Sequence, residues 1–115
     1  EGGDPEEAAK DLDIGLRMAV LVKLSDMAYL CRWFDDARAW GEKAAEEMQR
    51  QGDAERALDM TVNRLCDRTR TTAAQIQIDF ITTVAEPFIS ACCSAWPVLH
   101  PMSNKLSINL SLLNE

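Results

Sequence analysis

The sequence contains little histidine, little glycine and proline, and fewer basic than acidic residues. Its single histidine, His100, falls short of the several imidazoles that most hydrolytic metal sites and many acid–base mechanisms use. Five glycines and four prolines in 115 residues leave little room for disorder beyond the chain ends. Twelve Lys and Arg against nineteen Asp and Glu give a net charge of −7. The chain therefore lacks the basic face of a phosphate-backbone binder, and we expect no nucleic-acid partner.

Long apolar runs without interruption are also missing. The longest candidate for a membrane span, residues 87–104, is interrupted by Pro97 and Pro101 and carries His100. The sequence therefore predicts no transmembrane segment.

The four cysteines do not have the spacing of a zinc knuckle or of an ordinary disulfide between neighbours. They are Cys31, Cys66, Cys92 and Cys93. Each lies in an apolar stretch, which predicts reduced core residues. Such cysteines suit a reducing compartment, in the cytosol or on the matrix side of an organelle.

Three long segments have the apolar spacing of helices, and none alternates as a strand would. The first begins with Asp4 as the expected N-cap and Pro5 at the first helical position, and extends to about Leu30. The second covers about residues 34–58, with a stripe that includes two tryptophans. One small helical domain is therefore expected.

The third segment begins with Thr72 as the N-cap of a capping box and continues to about residue 95. Pro87 lies within it and predicts a kink, because the apolar spacing continues beyond the proline. We assign residues 1–95 to the helical segment and 96–115 to a proline-containing C-terminal tail. The predicted fold is all-α, with three long helices plus a short C-terminal helix or tail.

Four motifs occur in an order and at a spacing found in one enzyme family. They are KLSDMA at 23–28, EEMQRQGDAER at 46–56, LCDR at 65–68 and QIQIDF at 75–80. The family counterparts are a histidine-x-alanine-aspartate run, an arginine-glutamine-glycine-aspartate turn, a cysteine-aspartate-basic link and a glutamine-x-glycine-phenylalanine motif. On these motifs, residues 22–89 resemble the C-terminal part of the catalytic domain of class I cyclic nucleotide phosphodiesterases.

In that family an all-helical domain hydrolyses the 3′ phosphoester of cyclic AMP or cyclic GMP at a two-metal centre. The resemblance implies that Asp26 corresponds to a ligand of the tighter, zinc-like metal. It implies that Gln77 corresponds to the partner of the purine edge and Phe80 to half of the aromatic clamp on the base. An amide can donate and accept hydrogen bonds at once, which suits a reader of that edge. Zn and Mg would be cofactors of an intact enzyme, and none is expected for this chain alone.

Three positions depart from the family pattern. Lys23 stands where the family has a histidine, Tyr29 where it has an asparagine, and Asp79 where it has a glycine. The other metal ligands and the histidine that protonates the leaving oxygen belong to family segments upstream of the match. We therefore expect the family-equivalent site residues to be vestigial. Cyclic nucleotide would bind only if the rest of the domain were supplied.

Two hypotheses about function follow. In the first, the chain is a non-catalytic phosphodiesterase-like helical subunit with a structural or accessory role in a larger protein assembly. In the alternative, it is the C-terminal fragment of an intact metal-dependent phosphodiesterase that hydrolyses cyclic AMP or cyclic GMP. Substitution at three motif positions favours the first. Contacts with other protein subunits are then expected at large apolar side chains, and Trp33 and Trp40 are predicted core or interface anchors. The candidate partner-binding residues are Trp33, Trp40, Phe88 and Trp96.

Overall fold

A computed structural model of the chain describes residues 3–115, except for the side chains of residues 8–12. The α-helices are α1 (Pro5–Met27), α2 (Phe34–Ala57), α3 (Ala73–Phe80), α4 (Glu86–Ala95) and α5 (His100–Leu113). Three 3-10 turns (Ala28–Cys31, Arg64–Cys66 and Pro97–Leu99) lie in the connections, and a π-helical turn (Ile81–Ala85) joins α3 to α4. No strand occurs between residues 3 and 115. The predicted all-α fold is confirmed.

The predicted N-caps form as the local sequence requires. The Asp4 carboxylate accepts a hydrogen bond of 3.0 Å from the Glu6 amide, and Pro5 opens α1. The Thr72 hydroxyl accepts a hydrogen bond of 3.2 Å from the Gln75 amide and so caps α3. The Gln75 side chain donates to Asp79, so the reciprocal half of the predicted capping box does not form. Both caps satisfy amides that have no acceptor within their own helix.

Pro87 perturbs the third predicted helix one turn earlier than the proline itself. A proline has no N–H for the carbonyl four residues before it, here that of Thr83, and its ring crowds that carbonyl. The Glu86 amide instead donates to the Ile81 carbonyl five residues back, so the helix widens into the π-turn. The Thr83 hydroxyl donates to the Asp79 carbonyl at 2.6 Å within the same stretch. The kink is thus absorbed without ending the helical path.

The C-terminal residues form a longer helix than the sequence pattern required. Pro97 ends α4, but Pro101 lies in the first turn of the 14-residue α5, where its missing N–H costs nothing. His100 is the first residue of α5 and is exposed.

The core lies where the end of α1 and its 3-10 turn meet the π-turn, α4 and α5. Its buried members are Leu24, Met27, Leu30, Ile81, Ala85, Ile89, Cys92, Cys93 and Leu106. All four cysteines are free; three are buried and Cys31 is half-buried. Burial, together with the neighbouring Cys93, raises the pKa of the Cys31 thiol to about 11. The Cys31 thiol is therefore a protonated packing group near neutral pH, and burial also raises the pKa of the Cys66 and Cys92 thiols.

Helix α2 buries a stripe of small residues and not its tryptophans. Ala37, Gly41 and Ala45, spaced four residues apart, are buried. Trp33 and Trp40 are 75% and 51% exposed. Of their two predicted roles, that of core anchor is wrong, and that of interface anchor stays a prediction. Small side chains let the neighbouring elements approach closely, and a tryptophan on that line would hold them apart.

One helical stretch, Ala73–Ala95, is long and apolar enough to cross a membrane, with a mean hydropathy of 1.2. Of its most apolar window, 39% is buried inside the fold. The core helix of a soluble protein meets the same criteria, so this stretch is not a clear membrane span.

Candidate functional site

A narrow cleft lies between the first 3-10 turn, α2 and α3. It is lined by Tyr29, Leu30, Gly41, Ala44, Ala45, Met48, Ile76, Gln77 and Phe80. The space inside is about 10 Å³, which is room for about one water molecule. In this conformation the cleft is too small for a purine base.

Gln77 forms one wall of the cleft and packs against Gly41. A Cβ atom at Gly41 would lie 3.0 Å from the Gln77 Cδ atom, so a side chain at position 41 would displace the end of the Gln77 side chain. The Gln77 residue is only 8% exposed. Its carboxamide makes no hydrogen bond to the described part of the chain, so its donor and acceptor remain available on the cleft side.

The two aromatic residues of the cleft come from different elements. Phe80 follows Gln77 by one helical turn and shares its face of α3. Tyr29 lies in the 3-10 turn, and burial raises the pKa of its phenol above the ordinary value. The structure therefore brings Gln77 and Phe80 of the fourth motif together with Tyr29, which stands where the family has an asparagine.

Asp79 does not belong to the cleft. Its carboxylate accepts a hydrogen bond of 2.8 Å from Gln75 Nε2. It lines a separate hollow with Arg64, Leu65 and Thr83. Among the three departures from the family pattern, only Tyr29 lines the cleft. Successive residues of an α-helix are about 100° apart around its axis. Asp79, two residues after Gln77, therefore does not share the Gln77 face.

The second and third motifs form a structural junction between α2 and the connection that follows it. Gly52 is buried against Cys66, and a Cβ atom at Gly52 would lie 2.7 Å from the Cys66 carbonyl carbon. Arg68 and Asp53 form an ion pair with an N–O distance of 2.6 Å on one side of this contact. Residues 59–68 are thus held against α2 and do not act as a free linker.

Asp67 is the buried acid of this junction. Its Oδ1 atom accepts hydrogen bonds from the Thr69 hydroxyl at 2.6 Å, from Arg56 Nη2 at 2.8 Å and from the Thr69 amide at 3.0 Å. The hydrogen bond from the Thr69 hydroxyl and that from Arg56 lower the pKa of the Asp67 carboxyl to about 2. The carboxylate therefore stays charged at neutral pH and organises the turn that leads into α3.

Comparison with known proteins identifies the family. The profile of the 3'5'-cyclic nucleotide phosphodiesterase family matches residues 4–106. The chain belongs to this family. It is 34% identical over 79 residues to dual specificity calcium/calmodulin-dependent 3',5'-cyclic nucleotide phosphodiesterase 1B of Bos taurus, which covers 69% of this chain and 15% of that protein.

Two further relatives give the same picture. The Homo sapiens 1B protein is 38% identical over 74 residues, 64% of this chain and 14% of that protein. The Mus musculus 1C protein is 33% identical over 89 residues, 77% of this chain and 12% of that protein. The chain thus spans about one-seventh of the length of the curated relatives it matches, and corresponds to a part of the phosphodiesterase domain.

Asp26, which the family motif aligns with a metal ligand, does not line the cleft. It is exposed on α1, and Lys23, one turn earlier on the same helix, is also exposed. No group of three His, Cys, Asp or Glu residues lies close enough to hold a metal ion within the described residues. One exposed carboxylate near a lysine does not fit the multi-ligand sites of Zn or Mg, so these residues alone do not supply the donor set of a two-metal centre.

The predicted partner-binding residues have two different environments. Lys105 Nζ lies 3.7 Å from the ring centroid of the exposed Trp33, and Lys43 Nζ lies 4.8 Å from that of Trp40. Phe88 and Trp96 are half-buried and pack against the core. Trp33 and Trp40 are therefore exposed to solvent, whereas Phe88 and Trp96 contribute to the fold.

A larger apolar surface lies on α1. Five of its residues are more than half exposed: Ile14, Leu16, Met18, Leu21 and Val22. Among the described side chains of α1, Leu24 and Met27, near the end of the helix, are buried in the core, and Val20 packs against it. The sequence pattern of α1 does not distinguish its covered end from the part that stays exposed.

Gly41 and Asn109 lie outside the four motifs, and Gly52 lies within the second motif, where the sequence does not reveal its packing role. Gly41 and Gly52 matter through the side chain they lack, and Asn109 matters through bonds to carbonyls far away in sequence. The four-residue spacing of Ala37, Gly41 and Ala45 was the available signal for close helix packing. Nothing local marked Asn109.

Proposed function

We propose that this chain is a non-catalytic helical part of the phosphodiesterase family with a structural or accessory role in a larger protein assembly. The proposal rests on the exposure of Asp26 and on its distance from other possible metal ligands. The residue is exposed, separate from the cleft and without companion ligands among the described residues. Hydrolysis of a cyclic phosphodiester at a metal pair needs a clamp built from several ligands, and one carboxylate cannot provide it.

The cleft supports the same proposal. Gln77 and Phe80 keep the side chains of a purine site, but the facing elements leave room for about one water molecule. Tyr29 fills a position where the family has a smaller polar residue. The cleft then serves as the contact between the 3-10 turn, α2 and α3, with a nucleotide role only in the presence of further protein segments.

The role in an assembly rests on apolar surface that the described fold leaves open. The exposed α1 residues form one part of it, and Trp33 and Trp40 form others. Surfaces of this kind on a small domain are typical of contacts with other protein segments. The partner is therefore protein, and the binding surface includes the face of α1 that contains Met18 and Leu21.

The catalytic half of the proposal is tested by assaying cyclic AMP and cyclic GMP hydrolysis in the presence of Zn²⁺ and Mg²⁺. We expect no turnover above a metal-only blank, for the chain alone and for its native assembly, and no change in Asp26→Ala. Asp13→Ala removes another exposed carboxylate from α1 and is the matched control. Turnover in the assembly that is lost in Asp26→Ala and kept in Asp13→Ala would overturn the proposal and support the intact-enzyme alternative.

The assembly half is tested on the isolated chain. We expect it to bind a dye that reports exposed apolar surface, because more than half of the side-chain surface of Met18 and Leu21 is open to water. The double variant Met18→Lys/Leu21→Lys should bind less dye with an unfolding free energy within about 1 kcal/mol of the parent, since neither side chain belongs to the core. A cooperatively unfolding monomer that binds no dye would contradict this half.

A further inference from the structure

Asn109 connects α5 to an element almost eighty residues earlier in the chain. Its Nδ2 atom donates hydrogen bonds to the Leu30 carbonyl at 2.7 Å and to the Arg32 carbonyl at 2.8 Å. These carbonyls lie at the end of the first 3-10 turn, where helical carbonyls have no partner within their own element. Asn109 is 2% exposed; its bond to the Leu30 carbonyl is buried and its bond to the Arg32 carbonyl is partly buried.

The same turn forms one wall of the cleft. Tyr29 and Leu30 line the cleft, and Leu30 is also the acceptor of the Asn109 bond. Leu106 lies one helical turn before Asn109 and is buried in the core. Helix α5 therefore packs behind the wall whose front faces Gln77.

Within the described part of the chain, the Asn109 carboxamide has hydrogen-bond partners for its donor group but not for its acceptor. Its Oδ1 atom is buried and has no hydrogen-bond partner among the described residues. A buried acceptor without a partner costs free energy, and this cost opposes the docking of α5. Release of α5 would return the Oδ1 atom to water. The two donor bonds favour the docked state, whereas the orphan acceptor favours release.

We propose that α5 is a reversible strap that holds the cleft closed, with Asn109 as the positioning residue. In the docked state, Asn109 fixes the backbone of Leu30 and Arg32, and the wall stands close to α2 and α3. When α5 leaves, the 3-10 turn loses those two bonds and the buried Leu106, and the wall can move away from Gln77. The strap is a conformational property of this fold and does not depend on whether the chain is catalytic.

The test is amide hydrogen exchange on Asn109→Asp, which replaces the donor group with an acceptor facing two carbonyls. We expect exchange to rise by about tenfold or more in residues 28–32 and 41–48, together with α5. Residues 52–71 should remain protected, because their junction does not involve α5. Asn104→Asp makes the same chemical change at an exposed position of α5 and should leave all these regions unchanged.

Equal acceleration in every helix, or acceleration confined to α5, would overturn the strap. Native-state exchange of the unmodified chain in low denaturant gives an answer even if Asn109→Asp does not fold. We expect α5 and residues 28–32 to open together before the rest of the core. Opening of α5 only with global unfolding would refute the proposal.

Discussion

Replacement of Gly52 by alanine is expected to lower the free energy of unfolding by about 2–4 kcal/mol, or to prevent folding. The new Cβ atom would lie 2.7 Å from the Cys66 carbonyl carbon, which belongs to the backbone and cannot rotate away. Helix α2 and the Arg64–Cys66 turn would have to separate, which would also strain the Asp53–Arg68 ion pair. Urea unfolding followed by far-UV circular dichroism measures the loss.

Two other glycines of the same helical chain provide matched controls. Nothing lies within 4 Å of a Cβ atom at Gly15, so Gly15→Ala should stabilise α1 by about 0.5–1 kcal/mol. Gly41→Ala meets the mobile end of the Gln77 side chain, and the gain in helix propensity should offset most of the cost of moving it. Equal stability of the Gly52 and Gly15 variants would show that the junction does not require glycine.

Acid is expected to destabilise the protein through Asp67. The native pKa of this carboxyl is about 2, below the ordinary value of 3.8. A depressed native pKa means that its contribution is fully present above about pH 4 and is lost as the pH falls towards 2. Asp67→Asn should be less stable than the parent at pH 7, because Arg56 loses its charged partner, and should lose this part of the acid dependence.

The measurement is the free energy of unfolding in urea between pH 7 and pH 2. Asp26→Asn neutralises an exposed carboxylate and should keep the parent's pH dependence, with stability within about 0.5 kcal/mol. If Asp67→Asn and the parent lose stability in parallel over pH 4 to 2, the buried carboxylate is not the source of acid sensitivity.

The helices themselves were predictable because their signals are local. The cap at Asp4, the proline after it and the cap at Thr72 each act within one turn, and the bounds of α2 match the predicted range within a residue. The four motifs likewise identified the family, since they are read directly from the order of residues. Gln77 and Phe80 could be placed on one face of a helix from their three-residue spacing.

The arrangement of surfaces was less predictable. Trp33 and Trp40 share an apolar stripe in sequence, yet the small residues Ala37, Gly41 and Ala45 are buried and the tryptophans remain exposed. Periodicity shows which residues share a face, but it does not show how near the next element comes. The 59–68 connection shows the same limit, because its attachment depends on Gly52, Asp53 and Arg56 in another element.

The sequence by itself determined the all-α fold, the three long helical segments and the membership of the phosphodiesterase family, because caps, apolar spacing and motifs are properties of neighbouring residues. Only the tertiary structure decided that Gly41 makes room for Gln77, that Gly52 joins two motifs, and that Asn109 holds the wall of the cleft. These three roles depend on interatomic distances of a few Å between residues that are far apart along the chain. Such distances follow from packing and not from composition.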